Sequence, residues 1–558
     1  MGPIALVAGA ILASLASVCA GMKPRVEQRI MIGAMIALSV AGLHLGQLLV
    51  SENTSYEIVV DHTRPGLGLA RRVMGLWGGS AGSLLVFTLI VGWTLVIAPL
   101  RRPLALCRPL VVAVLAWATT LAVDPFARLD TPAIAGSGLS PILEHWAMLI
   151  HPPLLYLGLA LALVPAAVDE ADRRRWTVAS LAVLTTALAL GGGWAYVELG
   201  WGGWWAWDPV ENAALIPWLL LVATLHAPVD HRVTRWAALT VWPVVFAGTA
   251  MTRTSLRTSV HAFANNDTLG WALWPLVIIV STFAVVHGIR SAGGPNTTMP
   301  RPTMIPVGLL LAAAVVVTLG TFRPFVPGDA TDGAFYARFL YPVAILGLPG
   351  LGVIPRIRRV APVRLLAEAS VGALLGILSG AGVGWSTWWQ LVFAGALGAA
   401  LMTTVGGGPT PWPRTLAHVG MVCVLAGALG GTASTTQTFS LALDASESID
   451  GVTVTNRGVE LDSVAQPVLT ATIDVDGTQV RPSLTIYPQR RLRLPEVATV
   501  KRVHQDVQVI LRSADDYETA TVTVNVEPLT QFVWLGASLI VFAMFIRLFS
   551  RDENGEVR

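Results

Sequence analysis

Of the 558 residues, 54% are hydrophobic and only 13% are charged, which excludes a soluble globular or disordered chain and describes a polytopic membrane protein. The net charge of +3 is too small to argue for a nucleic-acid partner. Cys19, Cys107 and Cys423 are scattered and form no Cys-x-x-Cys pair, so the chain offers neither a dithiol redox site nor a thiolate metal cage.

The first apolar run, Pro3 to Ala20, lacks a basic leader and reads as a first span rather than a cleaved signal. Runs near the ~20 residues needed to cross the hydrocarbon recur along the chain, about fifteen in all. They lie at 3–20, 30–50, 77–99, 104–123, 147–167, 177–196, 210–227, 236–252, 270–288, 304–322, 337–354, 364–380, 385–404, 413–430 and 529–549. One set of alternate loops carries Lys23/Arg25/Arg29, Arg101/Arg102/Arg108, Arg173/Arg174/Arg175, Arg232/Arg235, Arg290/Arg301, Arg356/Arg358/Arg359 and Arg414. The positive-inside rule makes these loops cytoplasmic, with the N-terminus outside and the tail 550–558 inside. Arg64, Arg71, Arg72, Arg253 and Arg257 are exceptions on the other side.

His151 opens the fifth span at its outer end, in His151-Pro152-Pro153-Leu-Leu-Tyr156. The next outer loop carries the densest signal in the chain, Trp201-Gly-Gly-Trp204-Trp205-Ala-Trp207-Asp208-Pro209-Val-Glu211-Asn212. Tryptophan favours the membrane–water boundary, but four in one loop exceed what anchoring needs. Gly202 and Gly203 let a flat ligand lie close to the backbone. The loop reads as a platform for a large planar apolar molecule, with a plain aromatic belt as the alternative. Asp208 and Glu211 suit the N-terminus of a helix starting at Pro209.

His226 lies seventeen residues beyond Pro209, roughly 25 Å down a helix at 1.5 Å per residue, near the inner face. His261 follows in the next outer loop, in Thr258-Ser-Val-His261-Ala-Phe263, with Arg253 and Arg257 just before it. His151 and His261 thus flank the tryptophan loop on one side of the membrane, and neutral imidazole suits iron. Each alone reads equally as an interfacial histidine. His418 opens the fourteenth span, near the inner face and at the depth of His226. Intramembrane ionisable groups are commonly functional, although two snorkelling residues would look the same. His44 reads as packed and His145 as solvated; His62, His231, His287 and His504 read as surface residues.

Residues 431–528 hold no long apolar run but alternate, as in Leu469-Thr-Ala-Thr-Ile-Asp-Val475 and Thr521-Val-Thr-Val-Asn-Val526. Alternation means half-buried strands, and Asp476-Gly477 is a hairpin signal. The expected fold is an all-α polytopic membrane protein with a small extracytoplasmic β domain inserted before the last helix. Its parts are a transmembrane domain over 1–430, the β domain over 431–528, a final helix over 529–549 and a cytoplasmic tail.

The loop resembles the WWD signature of haem-handling membrane proteins of the CcmF, CcmC and CcsA types. Other stretches resemble the CcmF family of cytochrome c haem lyase subunits in particular. They include Asn53-Thr-Ser-Tyr-Glu-Ile-Val-Val-Asp-His-Thr63, Leu76-Trp-Gly-Gly-Ser-Ala-Gly-Ser-Leu-Leu85, Thr252-Arg-Thr254, Leu319-Gly-Thr-Phe-Arg-Pro324, Ala417-His-Val-Gly420, Ile486-Tyr-Pro-Gln489 and Gln505-Asp-Val-Gln-Val509. The likeness runs in order along essentially the whole chain, and the late outer domain favours CcmF over the shorter types. The chain departs from the family at Gly79-Ser80-Ala81-Gly82-Ser83, where Gly-x-Glu-Gly-Ser is usual, and around Thr297–Pro306, where acidic and paired-asparagine residues are absent.

The resemblance implies a bacterial inner-membrane haem lyase subunit that promotes thioether attachment of haem to a Cys-x-x-Cys-His segment of apocytochrome c. It implies transient haem ligated by His151 and His261 against Trp201, Trp204, Trp205 and Trp207, and a resident haem b ligated by His226 and His418. Asp208 belongs to the haem-facing loop but serves the helix cap, because like charges would repel a propionate. Arg253 and Arg257 are the better propionate partners. No catalytic residue is singled out. The implied partners are a CcmE-type haem chaperone, thiol-reducing and apocytochrome-binding subunits of the CcmH and CcmG types, apocytochrome c, and quinol as an electron source. A haem exporter or carrier, a quinol-linked electron-transfer protein and a transporter with a tryptophan belt are the alternative readings.

Overall fold

The computed structural model describes residues 1–20, 24–101, 104–198, 203–254, 266–291, 297–323, 333–382, 385–406, 411–461, 467–487, 492–515 and 518–550. Its helices are α1 (Gly2–Cys19), α2 (Pro24–Val50), α3 (Glu57–His62), α4 (Leu69–Met74), α5 (Ser80–Ile97), α6 (Cys107–Ala122), α7 (Ala147–Ala162), α8 (Glu170–Glu198) and α9 (Pro209–His226). They continue as α10 (Arg232–Met251), α11 (Asp267–Ala272), α12 (Trp274–Arg290), α13 (Arg301–Phe322), α14 (Gly333–Arg356), α15 (Pro362–Gly382), α16 (Trp388–Val405), α17 (Trp412–Gly430) and α18 (Thr530–Phe549). Each expected span coincides with a long helix. Among the described residues, 14 helices are long and apolar enough to cross a membrane. The remaining long helix, α10, falls outside that set; it begins with Arg232 and carries Arg235 one turn on.

The chain divides into two compact units. The first comprises residues 1–188, 207–340 and 544–558. Its α1–α2 pair packs through Ala10, Ala13, Ala16, Ala34 and Ala41, all fully buried, because small residues let helix backbones approach where lipid supplies no hydrophobic drive. The loops sort into two groups, joined within each group. On one side Arg108 grips Glu27 at 2.6 Å, Arg101 pairs with Asp169, and Arg173 donates to the Val229 carbonyl at 2.8 Å. These are loops expected at the cytoplasmic face. On the other, Glu57 donates its N–H to Ala127 at 3.0 Å, Ser137 donates to Val60 at 2.7 Å, and Arg64 pairs with Glu144 at 2.9 Å. These are loops expected outside.

The second unit comprises residues 189–206 and 341–543. Helices α15 and α16 cross on glycines: a Cβ at Gly372 or Gly376 would overlap the carbonyl of Gly398 or Ala394. A β domain of two antiparallel sheets follows. One sheet runs β1 (Thr435–Leu441), β10 (Thr519–Pro528), β9 (Gln505–Asp515), β8 (Ala498–Lys501). The other runs β2 (Ser446–Ile449), β3 (Val452–Leu461), β4 (Val468–Val475), β6 (Ser483–Tyr487), β7 (Leu492–Glu496), with β5 (Thr478–Val480) paired to β4. Inward residues of both sheets, among them Val454, Ile473, Val475, Val507, Val509, Leu511, Val522 and Val524, form one apolar cluster. The β4–β5 turn is Asp476-Gly477, with φ of +47° and +85°, the left-handed pair that a two-residue hairpin turn needs.

Candidate haem site

Helix α8 delivers the chain to the tryptophan loop and α9 leads it away. Trp204 and Trp205 are half-buried, with ring centroids 6.4 Å apart and planes tilted by 54°. The carbonyl of Trp204 lies back against α8, where a Cβ at Gly192 would stand 3.0 Å from it. Trp201, Arg257 and His261 lie outside the described residues.

Trp207 has φ +58°, a left-handed conformation that costs a non-glycine residue about 1–2 kcal/mol. Two neighbours hold it there. Tyr336 stacks on the indole with centroids 4.3 Å apart and planes within 8°. Asn212, fully buried in the first turn of α9, donates its side-chain amide to the Trp207 carbonyl at 3.0 Å and to the Tyr336 hydroxyl at 3.1 Å. Sequence reading missed Tyr336, which lies far along the chain from the loop. The only available signal was Asn212, an amide in an apolar run that needs partners.

Asp208 and Glu211 form a reciprocal capping box. The Asp208 carboxylate accepts the Val210 N–H at 2.8 Å, and Glu211 accepts the Asp208 N–H at 3.0 Å. Both side chains are thereby engaged with orphan backbone donors of α9, and Pro209 needs none.

Proline shapes the surroundings of two of the histidines. Pro152 and Pro153 sit inside α7 directly after His151. Pro152 cannot bond the Met148 carbonyl one turn back, and the Trp77 indole N–H takes that acceptor at 2.8 Å. His151 turns its Nδ1 to the Ala187 carbonyl at 2.9 Å. In α14, Pro355 leaves the Leu351 carbonyl without its usual helical donor, and His418 supplies Nδ1 at 2.9 Å. His226 is the last residue of α9, exposed, with Nδ1 on the Val222 carbonyl at 2.8 Å.

A carbonyl only accepts, so in each of these three rings Nδ1 is the donor, and that bond fixes how the ring is turned. A backbone acceptor behind the ring is the arrangement that orients an iron-ligating imidazole. His145 and His231 do the reverse: their Nδ1 atoms accept N–H bonds from Ala147 and Val233 at 3.2 and 3.1 Å, the second as the N-cap of α10. The pattern is not unique to the candidates. His62 is half-buried, with Nδ1 on the Ile58 carbonyl at 2.8 Å and its ring against Gly78 and Gly79.

Arg253 is 7% exposed. Its Nη1 donates to the Thr249 carbonyl at 3.0 Å, and its own carbonyl accepts the Asn266 N–H at 2.7 Å. Among the described residues the Arg253 Nε meets no acceptor.

A family model described as "Cytochrome C assembly protein" matches residues 170–258, the stretch from α8 through the tryptophan loop to the loop after α10. The cytochrome c-type biogenesis protein CycK of Rhizobium meliloti is 29% identical over 90% of this chain and 86% of its own. CcmF of Escherichia coli is 31% identical over 58% of this chain and 57% of its own, and the probable biogenesis protein NrfE of the same organism is 36% identical over 48% and 55%. A solved structure described as the cytochrome c haem lyase CcmF superposes with a TM-score of 0.78 at 22% identity, covering 99% of this chain and 98% of that one, and so shares the fold. With its membrane-spanning helices, its β domain before the last helix and relatives along almost its whole length, the chain is a multi-pass bacterial membrane protein similar to the CcmF-type cytochrome c biogenesis proteins.

Proposed function

We propose that this chain is the haem lyase subunit of a bacterial cytochrome c maturation system. Haem is the substrate, presented by a CcmE-type chaperone to the outer face of the loop formed by Trp201, Trp204, Trp205 and Trp207. His151 and His261 ligate its iron. Arg253 and Arg257 receive the propionates, and the buried Arg253 Nε gains the acceptor that no described residue supplies. Asp208 holds the loop's exit through the α9 cap. The apocytochrome brings its Cys-x-x-Cys-His segment. Each S–H adds across a vinyl C=C, forming one C–S bond and passing the thiol hydrogen to the other vinyl carbon, with no net electron transfer. Holding both reactants in one place supplies most of the acceleration.

His226 and His418 are the residues that would hold a resident haem b, whose chemistry would be to keep the substrate iron reduced, with quinol as the electron source. Thiol reduction and apocytochrome binding fall to CcmH- and CcmG-type partners, since the sequence has no Cys-x-x-Cys. Residues 1–430 form the haem-handling membrane domain and 431–528 the extracytoplasmic domain; the N-terminus faces outward and the tail lies in the cytoplasm.

The observation that carries this reading is that His151, His226 and His418 each hold Nδ1 against a backbone carbonyl within 2.9 Å, the arrangement that orients a ligating ring. The test is a pyridine haemochrome spectrum of the purified chain beside thioether formation in a reconstituted system. His226→Ala or His418→Ala should abolish the resident haem, while His151→Ala should spare it and stop thioether formation. Resident haem unchanged in both inner variants overturns the ligand assignment. Haem transfer without thioether product would favour a carrier.

A further inference from the structure

The segment Gln505-Asp-Val-Gln-Val509 has no role in the chemistry above, yet two of its polar side chains are fully buried. Asp506 accepts the Tyr196 hydroxyl at 3.0 Å, and Gln531 donates to both of its oxygens at 2.7 and 2.8 Å. Gln508 donates to the Tyr196 carbonyl at 2.9 Å. Tyr196 lies in the last turn of α8, where carbonyls have no helical partner, so Gln508 satisfies an orphan that would otherwise be costly to bury. A carboxylate beside a helix C-terminus opposes the helix dipole, and an apolar contact would hold these elements together at lower cost. Directional bonds to one side chain specify where that side chain sits.

Tyr196 stands one turn after Gly192, on the same face of α8. That face carries the Trp204 carbonyl, 3.0 Å from where a Gly192 Cβ would be. The Trp534 ring lies along Gly192 and Gly193 and meets Tyr196 edge-on with centroids 5.7 Å apart. We infer that Asp506, Gln508 and Gln531 are positioning residues for haem capture: the β domain clasps Tyr196, and through one face of α8 it sets the register of the tryptophan loop. The effect on haem rests on the reading of that loop as a haem platform; the clasp itself does not.

The test uses the purified full-length chain with two readouts, amide hydrogen exchange over residues 203–206 and titration with added haem, and with resident haem content as the control. Tyr196→Phe should speed exchange roughly tenfold and weaken binding of added haem by a similar factor, the loss of one hydrogen bond to a charged group, with resident haem unchanged. Asp506→Asn keeps an acceptor for the tyrosine and should stay within about twofold of wild type. Gly192→Ala, whose new methyl meets the Trp204 carbonyl, should disturb exchange at 203–206 without touching the clasp. Unaltered exchange in Tyr196→Phe, or equal damage from Tyr196→Phe and Asp506→Asn, overturns the inference. Faster exchange with no haem bound at the loop even in wild type leaves the clasp standing and removes the haem-platform reading instead.

Discussion

Replacing Asn212 by leucine, which has nearly the same volume, isolates the contribution of polar bonding to the tryptophan loop. The Asn212 side-chain amide makes two bonds, to the Trp207 carbonyl at 3.0 Å and to the Tyr336 hydroxyl at 3.1 Å. A net hydrogen bond is worth about 1 kcal/mol, and a carbonyl left buried without a donor costs about 1–3 kcal/mol more. Against this, leucine removes the Asn212 Oδ1, a buried atom with no partner among the described residues, which returns part of the loss. The balance is about 2–3 kcal/mol. It falls on a residue already in the left-handed region at φ +58°, so Trp207 is the first element to let go. The Trp207–Tyr336 stack should then be populated less by roughly 30-fold to 150-fold at a factor of ten per 1.4 kcal/mol. Tyr336→Phe keeps the stack and removes the acceptor that the Asn212 amide uses, so its effect should be about fivefold. Near-ultraviolet circular dichroism reads the stack, and titration with haem reads its consequence. If Asn212→Leu binds added haem as tightly as wild type, Trp207 needs no support from α9 and the reasoning fails.

Pro355→Ala should return a helical N–H to the Leu351 carbonyl, compete with His418 and lower resident haem affinity by 10- to 100-fold, as losses behind a metal ligand do; haemochrome retention after dilution measures it. Asp208→Ala removes the α9 cap and should lower unfolding free energy by about 1 kcal/mol in a thermal melt, with Asp208→Asn close to wild type. Glu527 is 3% exposed, and burial raises its carboxyl from 4.5 to about 7. A raised carboxyl pKa means the folded state holds the proton longer, so stability is greatest below pH 4.5 for this group and declines as pH rises toward about 7. Glu527→Gln, which keeps the Ser434 bond, should flatten the dependence of the melting temperature across that window; an identical slope in the variant contradicts it.

The spans were legible because lipid imposes one length and one composition on every helix that crosses it, and the strands of 435–528 were legible because a half-buried sheet imposes period two. The tryptophan loop and its histidines stood out for a related reason: costly residue types crowd where apolar ones would suffice. Bonds between residues far apart in the chain were not legible, because no local pattern encodes them. Tyr336 reaches Trp207 across 129 positions, and Asp506 reaches Tyr196 across 310. A partial signal existed in the prolines. A proline inside a helix always strands the carbonyl four residues earlier, so Pro152 and Pro355 each announce an acceptor at Met148 and Leu351 that some donor must fill. In this fold the donors are Trp77 and His418. The same accounting rule that makes proline a helix breaker in water thus makes it, inside a membrane helix, a fixed socket for an indole or imidazole N–H from another segment. The His418 socket orients Nε2 without spending any charge in the lipid, which an anionic partner behind the ring would require.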